Sequence, residues 1–188
     1  MPDENRGWAE TVAFSPNGRF LAVGYSNTTV MLFDLTTNPL FGIPLTGFSS
    51  QGGAEISLTA VSFSPDSHYV AAAHPISSDE KETEIVICDI YNHEIIATAQ
   101  ELSHQITFLA DGNHLVSAGF DAVIGWEFIP GQDLREISRL PISTTSNGSY
   151  PALSAHPTEQ IVAIGFQNGQ IDLWNPLNGS IIDSFKLN

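Results

Sequence analysis

The sequence predicts an all-β fold in which a unit of four antiparallel strands is repeated four times. The first observation is a hairpin pattern that occurs twice at the same length, as IVAIGFQNGQIDLWN at 161–175 and FLAVGYSNTTVMLFD at 20–34. Two short apolar runs joined by a polar turn are typical of a β-hairpin. The second observation is the spacing of the turn residues Pro16, Pro65, Ala110 and Pro157, which are 49, 45 and 47 residues apart. No helical pattern interrupts the repeats.

Each unit places a tight turn after its first strand, because proline fixes φ and the following glycine or polar residue accepts turn geometry. Residues 1–10 are predicted to be an N-terminal lead-in to one repeat domain. Its units are 11–47, 60–98, 105–140 and 152–187. The predicted strands are 11–15, 20–24, 29–34 and 41–47; 60–64, 69–73, 84–89 and 94–98; 105–109, 114–118, 123–128 and 134–140; and 152–155, 161–165, 170–175 and 180–187.

A four-stranded sheet of this size is apolar on both faces and cannot bury both faces alone. Stacking such sheets around an axis buries each face against the next sheet, which is the packing principle of a β-propeller, whose sheets are called blades. Three arrangements remain open: an arc of four blades, a closed ring of four, or two chains that complete a ring of eight. An open arc would expose one face at each end, which predicts association with other protein surfaces.

The motifs also resemble a known family. A V-x-F-S-P-x-G turn, an L-A-x-G strand, a polar turn and a strand ending in L-W-D are similar to WD40 repeats, with the best matches at 11–35 and 163–176. Trp8 stands where these repeats often carry an aromatic residue. The residues that carry the repeat signature are Pro16, Gly18, Gly24, Phe33, Asp34, Pro65, Asp89, Asp111, Gly112, Ser117, Asp121, Trp126, Pro157, Gly165 and Trp174. The resemblance implies a propeller that serves as a protein-interaction scaffold.

The units depart from the family pattern in two ways. The terminal Trp-Asp is replaced by Phe33-Asp34, Cys88-Asp89 and Trp174-Asn175. In the third unit, alignment without gaps puts Ser117 and Asp121 where the family has the Ser and Asp of a structural hydrogen-bond tetrad, but it puts Trp126 one place early. No Gly-His dipeptide precedes any unit, so we expect the tetrad histidine to be missing throughout.

The composition excludes several classes of function. Six Lys and Arg residues against 21 Asp and Glu give a formal charge of -15, with no basic cluster. Nucleic acids and anionic membranes are therefore unsuitable partners, because both require a positive patch. The polar N-terminus and the absence of a run of about 20 apolar residues predict a soluble protein of the cytoplasm or nucleus. The single cysteine, Cys88, excludes an internal disulfide, and its apolar neighbours predict a buried thiol.

Catalytic and metal-binding motifs are also missing from the sequence. The six histidines are scattered over different units without the spacing of metal ligands, and neither a G-x-S-x-G elbow nor a phosphate-binding glycine loop occurs. We therefore predict a protein that is not an enzyme and has no catalytic residue, metal site or cofactor. The alternative is a propeller enzyme or small-molecule binder with a site in the central channel.

The remaining candidate surface is formed by the loops that join strands two and three and those that enter each blade. Aromatic side chains at loop tips are typical of binding hot spots. The candidate partner-binding residues are Tyr25, Phe48, His74, Phe120, Tyr150 and Phe166. The alternative reading is that these rings fold back and cap their hairpins. The expected partners are other proteins, with a second copy of the chain or further blades of a longer chain as additional partners. The acidic loop from His74 to Glu84 is either a solvated excursion or a handle for a basic partner.

Overall fold

The computed structural model describes residues 8–27, 29–40, 42–45, 60–75, 83–142 and 151–186. Within these ranges sixteen strands form four antiparallel four-stranded sheets, which confirms the predicted all-β fold. Blade 1 contains β1 (Ala9–Phe14), β2 (Phe20–Tyr25), β3 (Val30–Asp34) and β4 (Gly42–Pro44), and blade 2 contains β5 (Ala60–Phe63), β6 (Tyr69–Pro75), β7 (Thr83–Asp89) and β8 (Glu94–Gln100). Blade 3 contains β9 (Gln105–Phe108), β10 (His114–Ala118), β11 (Ala122–Glu127) and β12 (Arg135–Pro141), and blade 4 contains β13 (Ala152–Ala155), β14 (Val162–Gly165), β15 (Gln170–Asn175) and β16 (Ser180–Lys186).

Each blade is a meander, because strands that are adjacent in the sheet are also consecutive in the chain. We call the four strands of a blade A to D in chain order. The A strands of consecutive blades lie next to each other, β1 by β5, β5 by β9 and β9 by β13. The first strand begins at Ala9, inside the predicted lead-in. No helix in the part of the chain that the structure describes is long and apolar enough to cross a membrane.

Three apolar clusters join the blades in order. The first lies between blades 1 and 2, the second between blades 2 and 3, and the third between blades 3 and 4. Their large members include Phe20, Leu32 and Phe63; Ile87, Phe108 and Trp126; and Leu109, Ile164 and Trp174, respectively. Among the described residues no comparable cluster joins blade 4 to blade 1. Hydrophobic burial between neighbouring sheets therefore holds the blades in sequence, as the apolar faces require.

The A–B turns have the predicted tight geometry. Gly18 and Gly112 have φ of 70° and 73°, in the left-handed region that glycine enters without steric cost. Blade 2 has Ser67 at this position, with φ of 62°. The Ser67 side chain is buried, and its Oγ accepts a hydrogen bond of 3.1 Å from the backbone N–H of Asn17 in blade 1. The strained serine thus connects the turns of two blades.

The structure corrects the ungapped alignment of the third blade. Trp126 pairs with Leu115 in the same register in which Trp174 pairs with Val162, so the two tryptophans are equivalent. The B–C turn of blade 3 closes with the pair Ala118 and Val123, whereas that of blade 4 closes with Gly165 and Ile171 and is one residue longer. The shorter turn, and not a displaced strand, accounts for the early tryptophan in the sequence.

Candidate partner-binding face

The topology gathers the candidate loops at one end of the sheets. Because consecutive strands run in opposite directions, every B strand ends at the end of the blade where its A and C strands begin, and the A–B and C–D turns lie at the other end. We call the first end the B–C face. Of the predicted binding residues, Phe48 and Tyr150 are outside the described residues, and Tyr25, His74, Phe120 and Phe166 lie at or beside the end of a B strand.

Tyr25 and Phe166 occupy equivalent positions in blades 1 and 4. Each backbone N–H closes the B–C turn with a hydrogen bond of 2.9 Å, from Tyr25 to the carbonyl of Thr29 and from Phe166 to that of Gln170. Both side chains are half-buried. The Phe166 ring packs against the cluster between blades 3 and 4. It therefore contributes to the packing between two blades and leaves part of its surface exposed at the face, and its role in binding stays a prediction.

Phe120 lies in the B–C turn of blade 3, and its ring packs on the buried His104 with 4.6 Å between ring centroids. His104 belongs to the segment that enters blade 3, and its backbone N–H donates to the carbonyl of Ala118 at 2.8 Å. The neighbouring Gly119 allows this approach, since a Cβ there would stand 2.0 Å from the carbonyl oxygen of Leu102. The B–C turn and the D–A segment of this blade are thus packed as one unit.

The side chain of His74 is not on this surface. It is 1% exposed, and its Nε2 lies 3.5 Å from a carboxylate oxygen of Glu84 on the adjacent strand. Since β6 continues to Pro75, His74 is a strand residue and not a loop residue. Its burial removes its imidazole from direct contact with a partner, while the role of Tyr25, Phe120 and Phe166 stays a prediction.

Trp8 adds a surface aromatic that the candidate set does not contain. Its side chain is 60% exposed although its backbone is fixed at both polar groups. The N–H of Trp8 donates to Ser26 Oγ at 3.2 Å, the N–H of Ser26 donates to the carbonyl of Trp8 at 3.0 Å, and the indole N–H donates to the Glu10 carboxylate. The sequence indicated this residue only through its resemblance to WD40 repeats, which often carry an aromatic residue before the first strand. Trp8 therefore lies opposite Ser26, the residue after Tyr25, at the edge of the B–C face.

The opposite end of the sheets is polar and internally paired. The Arg19 guanidinium binds the Asp34 carboxylate at 2.7 Å, and these hydrogen bonds, together with those from Thr36, hold the pKa of Asp34 well below its usual range. Asp89 accepts hydrogen bonds from the backbone of Tyr91 and Asn92. Burial alone would raise its pKa, but these bonds and the His68 contact outweigh burial and lower it. The signature aspartates thus fix the ends of the C strands.

The three arginines in the described ranges are committed to carboxylates. Arg19 pairs with Asp34, Arg135 with Glu127, and Arg139 with both Glu101 and Glu136. Within the same ranges no three His, Cys, Asp or Glu side chains are grouped so that they could hold a metal ion.

Comparison with known proteins agrees with this architecture. The family model described as "WD domain, G-beta repeat" (WD40) matches residues 6–34, which include the A, B and C strands of blade 1. The structure is similar to the crystal structure of the β-propeller domain of Cps50 (Swd1) from Myceliophteria thermophila, with a TM-score of 0.74 and 17% sequence identity. That match covers 100% of this chain and 58% of the other. The first blade of the present chain thus matches the WD40 repeat, and the chain folds as a partial β-propeller. No curated protein sequence matches it.

In this partial propeller, one pair of tetrad positions is joined as in the resembled family. Trp126 Nε1–H donates to Ser117 Oγ at 2.9 Å, and both side chains are buried between blades 2 and 3. In blade 4 the register position of Ser117 is taken by Ile164, and no acceptor among the described residues reaches the buried Trp174 Nε1. This hydrogen bond lies within the apolar packing that joins blades 2 and 3.

Proposed function

We propose that this partial propeller is a non-catalytic scaffold that binds another protein through its B–C face, in the cytoplasm or nucleus. The observation that carries the proposal is the exposed side chain of Trp8 on a fixed backbone. A tryptophan that is 60% exposed yet held by two backbone hydrogen bonds offers a large apolar surface whose conformational freedom is already restricted. Binding to such a surface costs little ordering entropy, which is why fixed aromatic residues dominate interface energies.

The acidic charge of the chain favours a partner with a basic surface. The formal charge of -15 and the pairing of each described arginine with a carboxylate leave an acidic surface, so a partner with basic residues around an apolar centre fits best. The half-buried Phe120 and Phe166 would extend the contact from blade 1 toward blades 3 and 4. No observation on the described residues favours the alternative of an enzymatic site in the channel.

Site-specific photo-crosslinking tests the proposed face. A photoreactive phenylalanine analogue in place of Tyr25, in cells of the source organism, should capture a discrete protein. The same analogue in place of Tyr91, an exposed aromatic residue on the C–D turn of blade 2, serves as the control and should capture nothing comparable. The Trp8→Ala change should reduce capture at least ~10-fold, and Leu177→Ala at the opposite end should not. Equal capture of the protein from the Tyr25 and Tyr91 positions would contradict the proposal.

A further inference from the structure

The sequence contains four Asn-Gly pairs, and three of them lie in turns that the structure describes. These are Asn17–Gly18 in the A–B turn of blade 1, Asn168–Gly169 in the B–C turn of blade 4 and Asn178–Gly179 in the C–D turn of blade 4. In such a pair the glycine nitrogen can attack the side-chain amide carbon of the asparagine, since glycine has no Cβ to hinder the approach. All three pairs are exposed to solvent, so exposure does not distinguish them.

The glycine nitrogen is held by a hydrogen bond in two of the three turns. The N–H of Gly18 donates to the carbonyl of Ser15 at 2.8 Å, and that of Gly169 donates to the carbonyl of Phe166 at 3.0 Å. Attack by the nitrogen requires removal of this proton, and a hydrogen-bonded amide proton reaches a base in solvent only when the bond opens. The N–H of Gly179 has no acceptor among the described residues, so its nitrogen can react without opening of the turn.

The side chain of Asn178 is held so that its amide carbon is activated. Its Oδ1 accepts two hydrogen bonds from Ser180, at 3.0 Å from the backbone N–H and at 2.6 Å from the hydroxyl. Donors on a carbonyl oxygen stabilise the negative charge that develops there when the carbon is attacked. Asn168 Oδ1 accepts one such bond among the described residues, from the N–H of Gln170. Asn17 Oδ1 accepts two, but the nitrogen of its glycine is engaged.

We propose that Asn178 is a site of spontaneous deamidation, at which the folded chain converts this asparagine to aspartate and isoaspartate. The Gly179 nitrogen bonds to Asn178 Cγ and loses its proton to solvent. The bond from Cγ to Nδ2 breaks, and Nδ2 takes up a proton and leaves as ammonia. Water then adds to either carbonyl of the resulting succinimide ring, which opens to a carboxylate. Water is the co-reactant, and nothing is oxidised or reduced.

The turn that is modified also contacts the neighbouring blade. The Ser138 hydroxyl in β12 donates to the carbonyl of Pro176, and a Cβ on Gly179 would stand 3.7 Å from Ser138 Cβ. Deamidation adds a negative charge to this turn, and isoaspartate also lengthens the backbone between Asn178 and Gly179 by a carbon atom. We therefore expect the contact between blades 3 and 4 at this end to change as the protein ages.

Peptide mass spectrometry of the purified full chain tests the site. The protein is incubated in mildly alkaline buffer, and the change in mass from amide to acid is followed in the peptides that contain Asn17, Asn168 and Asn178. We expect Asn178 to convert at least ~10-fold faster than the other two, because its reaction needs no hydrogen bond to open. An isoaspartate-specific methyltransferase should label the Asn178 peptide. Equal conversion rates of the three asparagines in the folded chain would overturn the inference.

Unfolding and one substitution separate the effect of the turn from that of the sequence. In concentrated guanidinium chloride the three pairs lie in a flexible chain, so their rates should agree within ~3-fold. If Asn178 kept its full advantage there, the sequence and not the turn would determine the rate, and the inference would be wrong.

The Ser180→Ala change removes the hydroxyl donor and keeps the N–H donor. It should slow the conversion of Asn178 at least ~3-fold and leave that of Asn168 unchanged. Ser180 is exposed, so circular dichroism should show a folded variant. An unchanged rate at Asn178 in this variant would contradict the activation of its amide by Ser180.

Discussion

Two buried tryptophans show that one neighbouring residue determines whether an indole N–H has a hydrogen-bond acceptor. Trp126 and Trp174 occupy the same register position in their blades and both are buried. The Ser117 hydroxyl accepts a hydrogen bond from the indole N–H of Trp126. In blade 4 the equivalent residue is Ile164, whose side chain has no acceptor for the indole of Trp174. A buried donor without an acceptor costs desolvation free energy that packing must offset.

Replacing each tryptophan by phenylalanine separates the hydrogen bond from the packing. Trp126→Phe loses indole volume and also the bond to Ser117, whose hydroxyl remains buried. Trp174→Phe loses similar volume but removes a donor that has no acceptor among the described residues. We expect the free energy of unfolding to fall by roughly 1–2 kcal/mol more for Trp126→Phe, measured by urea unfolding. Equal losses would mean that the Ser117 bond contributes nothing to stability.

The elements of the propeller are held by contacts at the ends of their strands. At the B–C face, the segment of residues 101–104 connects blades 2 and 3, and the N–H of Ser103 donates to Thr83 Oγ1 at 2.6 Å. Gly119 lies directly against the backbone of this segment. At the other end, ion pairs such as Arg19 with Asp34 join neighbouring strands of one blade.

The close approach at Gly119 predicts a large effect of one methyl group. In a Gly119→Ala chain the added Cβ would meet the carbonyl oxygen of Leu102 at 2.0 Å, so backbone must move. We expect a loss of unfolding free energy of at least ~2 kcal/mol, and altered near-UV circular dichroism. Gly165→Ala is the matched control, because the nearest atom to its added Cβ is Ala152 Cβ at 3.8 Å and the effect should stay within ~0.5 kcal/mol. Similar losses for both variants would disprove the steric explanation.

The ion pairs and hydrogen bonds of three carboxylates predict loss of stability in acid. The pKa values of Asp34, Asp89 and Glu136 are lowered in the folded chain. A carboxyl with a lowered folded pKa contributes its full stabilisation above its unfolded pKa, and loses it as the pH falls toward the folded value. The urea concentration at the midpoint of unfolding should therefore decrease as the pH is lowered below about 4.5. The Asp34→Asn change should make this pH dependence weaker and should lower the midpoint at pH 7. An unchanged acid slope in Asp34→Asn would show that Asp34 does not contribute.

For the whole molecule, stability should depend on the position of each blade in the arc. Blades 2 and 3 are covered on both faces, whereas blades 1 and 4 are each covered by a neighbouring blade on one. In a stacked repeat array, stability is approximately a sum of terms from each repeat and from each interface. The middle blades therefore have one more interface than the end blades.

Hydrogen exchange should reveal this gradient. The amides of β7 in blade 2, where Ile85 to Cys88 are fully buried, should exchange most slowly. Those of β16, the exposed edge strand of blade 4, should exchange at least ~100-fold faster at low protein concentration. Equal protection of β7 and β16 would mean that the four blades unfold as one cooperative unit.

The sequence predicted the architecture well because hairpin periodicity and turn chemistry are local. Residues 20–34 and 161–175 therefore indicated the strands and their pairing without any long-range information. Burial at the B–C face is a property of packing between segments, so the sequence could not show that His74 is enclosed or that Phe120 packs on His104. The one-residue difference between two B–C turns likewise appeared only when Trp126 and Trp174 were seen in register.

Cys88 gives the molecule a built-in reporter of how its first two blades separate. The thiol is fully buried in the cluster between blades 1 and 2, and burial raises its pKa to about 12. It is therefore protonated and shielded at neutral pH, and the thiolate that reacts with alkylating reagents forms only when that interface opens. Because the chain has one cysteine, the rate of its alkylation measures the opening of a single interface in the unmodified protein.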